Sequence, residues 1–157
     1  MQAPTSGLRF LVAESEPLEA REKRRESVAR SSVETYVEIL RGLAPSSICH
    51  RIMPTDVDCT LPEGESLAVY EAVFLSGSPL SLYEETPEVR RALKFMGALF
   101  ASGTPSFGSC AGLQMATVAA GGTVRQNWNG PEAGFARRIV PTDAGRSHPL
   151  FRGRPSA

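Results

Sequence analysis

A cysteine stands between two glycines in PSFGSCAGLQ, Pro105 to Gln114, with an apolar run before it and a helix-forming run after it. A side chain on a tight turn between a strand and a helix is pushed out of the sheet, and the crowded backbone there has little room for a Cβ on either side. Gly108 and Gly112 meet that need around Cys110. A helix starting directly after Cys110 aims its amino end at the sulfur, and the positive end of the helix dipole favours thiolate over thiol. A thiolate so placed is a nucleophile.

Attack on a carbonyl also requires donors for the oxygen that becomes charged. The backbone N–H of Ala111, the residue after the cysteine, is one. A second is available from SGSP, Ser76 to Pro79, a loop at the end of the preceding apolar run, where the backbone N–H of Ser78 is placed to complete an oxyanion hole. Together the two loops imply acyl transfer or amide hydrolysis through a thioester. The spacing G-x-C-x-G alone also fits a small buried hydrophobe among turn glycines. The strand before it, the helix after it and the neighbouring glycine loop weigh toward the nucleophile. Cys49 and Cys59 lack such a setting and read as structural.

The elements that must hold these loops follow from hydrophobic periodicity and punctuation. Leu8 to Ala13, LRFLVA, reads as a buried strand, and Glu14 to Arg30, dense in balanced charge, as a solvated loop or frayed helix. SSVETYVEILRGLAP is an amphipathic helix with Ser32 as its expected N-cap and Val33, Val37 and Leu40 on one face. Ile48 to Met53 and Ala72 to Leu75 read as the next strands. TPEVRRALKFMGALFASG reads as a helix with Thr86 as N-cap, Pro87 in its first turn and Gly103 at its stop. Thr104 to Phe107 makes a short strand, Ala111 to Ala120 a helix, and TVRQNWNG and FARRIVPT two further strands, with Trp128 either anchoring a hairpin or covering the site. Arg90 and Arg91 read as a solvated face. Apolar strands alternating with helices predict an α/β fold: a flavodoxin-like three-layer sandwich with a mostly parallel central sheet and helices on both faces.

Totals bound the function. The chain has 157 residues, enough for one domain with one sizeable core. Lys plus Arg and Asp plus Glu are each 17, so no excess of positive charge points to nucleic acid or a membrane surface. Three cysteines form neither an even framework nor a C-x-x-C pair, which argues against a disulfide scaffold or zinc site and for a reducing compartment. No apolar run approaches the ~20 residues that span a bilayer, and MQAPTSGLRFLVAESE lacks the features of a secretory signal. A cytoplasmic location is expected.

FLSGSPLSLYE together with PSFGSCAGLQMATVAAGG resembles the paired signature of class I glutamine amidotransferases, in particular stand-alone proteins similar to the glutaminase half of GMP synthase. Gly77, Ser78 and Pro79 match the family's G-G-P oxyanion loop with serine in place of the second glycine. Gly108, Cys110, Gly112 and Gln114 match its G-x-C-x-G-x-Q elbow. Glu132 and Gly134 match a glutamate-x-glycine before a later strand. The resemblance implies hydrolysis of the side-chain amide of L-glutamine, with Cys110 as nucleophile, the N–H groups of Ser78 and Ala111 as the oxyanion hole, and Gly77, Gly108, Gly112 and Gln114 around the substrate. It implies no metal and no organic cofactor, and ammonia passed to an acceptor on a synthase partner.

The family's histidine, oriented by a glutamate two residues later, has no match here. His50 reads as a strand-edge histidine, and no acid follows His148 in SHPLF at the required spacing. The chain therefore reads as a single class I domain, residues 1–157, incomplete at its C-terminal end and inactive by itself. The alternatives are a γ-glutamyl peptide hydrolase on the same architecture and a non-catalytic module that binds glutamine or a partner.

Overall fold

The computed structural model describes residues 7–62, 65–130 and 140–153. They fall into two compact units, Met1–Arg125 and Gln126–Ala157.

The first unit is built on four parallel strands, β1 (Arg9–Ala13), β2 (Ile48–Ile52), β3 (Ala72–Leu75) and β4 (Ser106–Gly108), in the order β2-β1-β3-β4. β1 is central, and its alternate side chains serve opposite layers. Phe10 and Val12 face helix α2 (Ser32–Leu43) through Val33, Val37 and Leu40. Leu11 and Ala13 face helices α3 (Pro87–Ser102) and α4 (Ala111–Ala119) through Val89, Met96, Leu99 and Met115. Leu11, Val73, Leu75, Met96 and Leu99 are fully buried, each contributing ~1.5–3 kcal/mol relative to exposure. This is the expected flavodoxin-like arrangement, with helices on both faces of a parallel sheet.

Local signals set most boundaries. Thr86 caps α3 by accepting from the Val89 N–H at 3.2 Å, and Gly103 ends it at φ 71°. α2 starts one residue earlier than expected at its cap: Ser31, not Ser32, accepts from Glu34 N–H, while the Glu34 carboxylate in turn accepts from Ser31 N–H. The charged run after β1 forms a full helix, α1 (Leu18–Val28), closed by Ala29 at φ 58°. It is not simply solvated: Glu14, Ser15, Glu16 and Arg21 are all buried, with Arg21 paired to Asp56 at 2.6 Å.

TVRQNWNG is not a strand. It runs irregularly into a turn in which Gly130 N–H donates to Asn127 O at 3.1 Å, and Trp128 is 84% exposed instead of anchoring a hairpin. In the second unit the described residues form a short helix α5 (Asp143–Ser147), capped by Thr142, and a 3-10 turn Pro149–Phe151. Most of FARRIVPT, and both Glu132 and Gly134, lie outside the described residues.

Candidate active site

Ala13, Leu75 and Gly108 share one row of the sheet, so the loops that leave β1, β3 and β4 emerge side by side at its carboxyl edge. Strand order reverses between β1 and β3, the place where open α/β sheets leave a crevice. Ser76, Gly77 and Ser78 follow β3, and Ser109 and Cys110 follow β4.

Cys110 is exposed and occupies the N-cap position of α4 with φ 52° and ψ −107°, a conformation that costs a non-glycine residue ~1–3 kcal/mol. Bonds on both sides hold it there. Ser109 N–H donates to Leu75 O at 3.1 Å, Gly112 N–H to Ser109 O at 2.9 Å, and Gln114 N–H to Cys110 O at 3.1 Å. The flanking glycines are required by space: a Cβ on Gly108 would lie 2.5 Å from the Gly112 carbonyl carbon, and one on Gly112 would lie 2.9 Å from Leu75 Cβ. Removing both Cβ atoms lets α4 start immediately against β3 and β4. The sulfur thereby stands at the amino end of a nine-residue helix. Half-buried Gln114 follows one turn later, on the same side of α4 as Cys110.

Gly77 comes next to the cysteine, close enough that a Cβ on it would be 3.5 Å from Cys110 Cβ. The loop it belongs to is fastened at both ends. Upstream, Ser76 N–H donates to Ala13 O at 3.0 Å, while Ser76 Oγ accepts from Ser15 N–H at 3.0 Å and donates to Gly77 O at 3.0 Å. Downstream, Leu80 N–H donates to Ser78 Oγ at 3.1 Å. Gly77, Ser78, Gly108, Cys110, Ala111, Gly112 and Gln114, named from sequence, thus lie on two adjoining loops and the helix that follows. An exposed thiol at the amino end of a helix, beside a glycine loop, can add to a carbonyl carbon.

Two residues of this edge were not legible as such. Ser76 is completely buried, and its signal was a hydroxyl between the apolar run AVFL and a glycine. Ser15 was hidden within a charged segment. Its own Oγ and Glu16 Oε2 are buried without a hydrogen-bond partner, and burial pushes the Glu16 carboxyl up from its ordinary value despite Arg24 nearby.

The histidines take other positions. His50 pairs in register with Leu11, in the row that continues through Val73 to Ser106, so three strand spacings, ~14 Å, separate it from β4. Its Nδ1 lies 2.9 Å from the Tyr70 hydroxyl and 3.3 Å from Glu65. His148 is exposed, and its Nδ1 accepts from Leu150 N–H at 3.3 Å, capping the 3-10 turn. Cys49 and Cys59 are half-buried free thiols, with burial pushing Cys59 up. Arg90 is exposed as expected, whereas Arg91 reaches across to donate to Thr55 O at 2.6 Å. That contact closes one side of an open groove of about 910 Å³ lined by Arg51, Asp56, Cys59, Leu80 and Arg91. Among the described residues no helix is long and apolar enough to cross a membrane.

The family model for glutamine amidotransferase class-I matches residues 36–156. A γ-glutamyl-L-1-hydroxyisopropylamide hydrolase from a Pseudomonas species is 39% identical over 100 residues, which cover 62% of this chain and 32% of that protein. A GMP synthase [glutamine-hydrolyzing] from Tropheryma whipplei is 37% identical over 84 residues, 54% of this chain and 14% of the synthase. The chain thus spans a third or less of the length of these curated relatives. No solved structure matches it significantly.

Proposed function

The chain belongs to the glutamine amidotransferase class-I family, and we propose that it cleaves the side-chain amide of L-glutamine with Cys110 as the nucleophile. The observation that carries this reading is the backbone of Cys110, held at φ 52° between Gly108 and Gly112 with Gly77 against it. A strained, exposed cysteine that the surrounding fold over-determines is a device for presenting sulfur.

In this reading Cys110 Sγ bonds to the side-chain amide carbon, Cδ, and the carbonyl electron pair moves to oxygen, where the N–H groups of Ser78 and Ala111 receive it. Collapse expels ammonia, which leaves with the proton taken from the thiol. Water then adds to the thioester, releasing glutamate and restoring the thiol. Gly77, Gly108 and Gly112 keep the backbone near enough for these contacts, and Gln114 adjoins the bound glutamyl group. Proton transfer is assigned to an imidazole. His50, committed to Tyr70 and Glu65 at the other edge of the sheet, is not that group. The similarity to a glutamine-hydrolysing synthase supports delivery of the ammonia to a synthase partner.

A second reading, hydrolysis of a γ-glutamyl amide with a larger amine as leaving group, is favoured by the 39% identity to a γ-glutamyl amide hydrolase. The acyl half is common to both, so only the leaving amine separates them.

The test is stoichiometric and does not depend on turnover. Incubated with γ-glutamyl p-nitroanilide, the chain should release p-nitroaniline and carry a γ-glutamyl group on Cys110, detected by peptide mass spectrometry. Cys110→Ala should do neither. Competition by free glutamine supports the first reading, and competition by γ-glutamyl alkylamides alone supports the second. A Cys110 that iodoacetamide alkylates but that accepts no glutamyl group from any of these substrates would overturn the proposal.

A further inference from the structure

We propose that Ser76 is a positioning residue: its buried hydroxyl locks the peptide between Gly77 and Ser78 so that the Ser78 N–H faces the oxygen of a carbonyl attacked by Cys110. This inference rests on the reading of Cys110 as nucleophile and adds the part of the fold that keeps the oxyanion hole formed.

In a trans peptide the carbonyl and the N–H point in opposite directions, so fixing one fixes the other. The Gly77 carbonyl and the Ser78 N–H belong to one such unit. Ser76 Oγ donates to that carbonyl at 3.0 Å. A serine hydroxyl has one proton to give, and here it goes to Gly77 O, while a lone pair receives the Ser15 N–H at 3.0 Å. Ser76 cannot easily reorient, because it is completely buried and its own N–H is tied to Ala13 O at 3.0 Å.

The lock is needed because Gly77 is the loose joint of the loop. Without a Cβ its backbone torsions are cheap to change, and rotating the following peptide exchanges the two ends of that unit. The carbonyl would then point where the N–H had been, presenting a partial negative charge to the developing oxyanion. The downstream side is already fixed: Pro79 restricts Ser78 toward extended conformations, and Ser78 Oγ receives the Leu80 N–H at 3.1 Å. The upstream side has no covalent restraint, and the Ser76 hydroxyl holds it by a hydrogen bond instead. The loop after β1 enters through Ser15, so two neighbouring strand ends, those of β1 and β3, act on one peptide. Gly77 lies against Cys110, which makes its orientation matter to the sulfur's partner and not merely to the loop.

The test uses glutaric semialdehyde, which has the glutamine chain with an aldehyde in place of the amide and no α-amino group to cyclise onto it. Cys110 adds to the aldehyde carbon, the S–C bond forms as the C=O π bond opens, and the thiol proton goes to oxygen. The resulting hemithioacetal oxygen occupies the oxyanion position, and a carbon-13 label at the aldehyde reads its formation by NMR. Alkylation of Cys110 by iodoacetamide, a displacement that develops no oxyanion, is the control. Ser76→Ala should weaken the aldehyde adduct by about tenfold to a hundredfold while the alkylation rate stays within about twofold. Ser76→Thr, which keeps the hydroxyl, should recover most of the loss. An unchanged adduct in a folded Ser76→Ala overturns the positioning role and leaves the nucleophile reading intact, as does parallel loss of adduct and alkylation. If the wild-type chain alkylates but forms no adduct, the oxyanion reading falls and this inference with it.

Discussion

Gly112 and Leu75 are packed so closely that a Cβ on the glycine would lie 2.9 Å from the leucine's Cβ and 3.1 Å from its carbonyl oxygen. The same Leu75 carbonyl accepts the Ser109 N–H at 3.1 Å. One residue at the end of β3 therefore sets both how near α4 approaches the sheet and how the chain arrives at Cys110.

Glycine substitutions around this point should rank by the atoms a new methyl meets. Gly108→Ala meets the carbonyl of Gly112 at 2.5 Å, backbone that cannot move without shifting α4, and should destabilise most, by ~3 kcal/mol or more. Gly112→Ala should follow at ~1–3 kcal/mol. Gly97, in α3 with nothing within 4 Å, provides the opposite sign: Gly97→Ala should stabilise by ~0.5–1 kcal/mol through helix propensity. Urea unfolding of the three variants checks the order, and a Gly108→Ala chain as stable as the parent would refute the packing described for the elbow.

Cys110 stores strain that the fold tolerates for the sake of its position. Cys110→Gly should relieve it and Cys110→Ala should keep it, so the glycine variant should be the more stable by ~1 kcal/mol although it binds no substrate covalently. At an unstrained site the ranking would reverse, because glycine raises the entropy of the unfolded chain. Equilibrium denaturation of the pair decides, and an alanine variant more stable than the glycine variant would show that φ 52° carries no cost here.

Much of this architecture was legible where punctuation and periodicity agree. AVFL, stopped by SGSP, is β3 residue for residue, and Thr86, Pro87 and Gly103 bound α3 as expected. The elbow was readable because Cys110 needs two glycines at fixed offsets for a local steric reason. The misses are of another kind. Glu14 and Glu16 look solvated in sequence, but partners distant in the chain gather around them: Val33 N–H of α2 donates to Glu14, and Thr55 after β2 donates to the Glu16 carbonyl. Ser31 was passed over for Ser32 because a capping box depends on Glu34 as well as on the serine. Ser76 was passed over because the bond that helps fix its hydroxyl comes from Ser15, sixty-one positions earlier.

Glu16 gives a pH signature for that buried loop. Burial raises its carboxyl above the ordinary 4.5, with repulsion from Glu14 adding and Arg24 opposing. A folded-state value above the unfolded one favours the protonated form, so its contribution is fully present below about pH 4.5 and is lost as pH rises through the folded value. Glu16→Gln, which stays neutral and can donate to Glu14, should therefore be more stable than the parent near about pH 7, with the advantage shrinking as pH falls through the folded value toward about pH 4.5. Urea midpoints at the two pH values measure it. A Gln variant less stable at neutral pH would mean that the pairing with Arg24, at 3.8 Å, outweighs burial.

Tyr70 should dominate the alkaline limb of stability. Its ring is buried in the core beside Leu67, and its hydroxyl donates to Glu65, which also pairs with Arg9. Burial, reinforced by the bond and the charge of Glu65, pushes the phenol up to about 12 from 10.0. Because the raised value belongs to the folded state, the neutral phenol stabilises it fully below about pH 10, and this contribution disappears as pH climbs toward about pH 12. Glu65 works in the other direction, held below 4.5 by the Tyr70 hydroxyl, Arg9 and His50, so its contribution is lost on acidification. Tyr70→Phe should flatten the alkaline limb while lowering stability at neutral pH, since Glu65 and His50 lose a shared partner. Thermal unfolding followed from about pH 8 to about pH 11 distinguishes the two chains, and identical slopes would place the ionising group elsewhere.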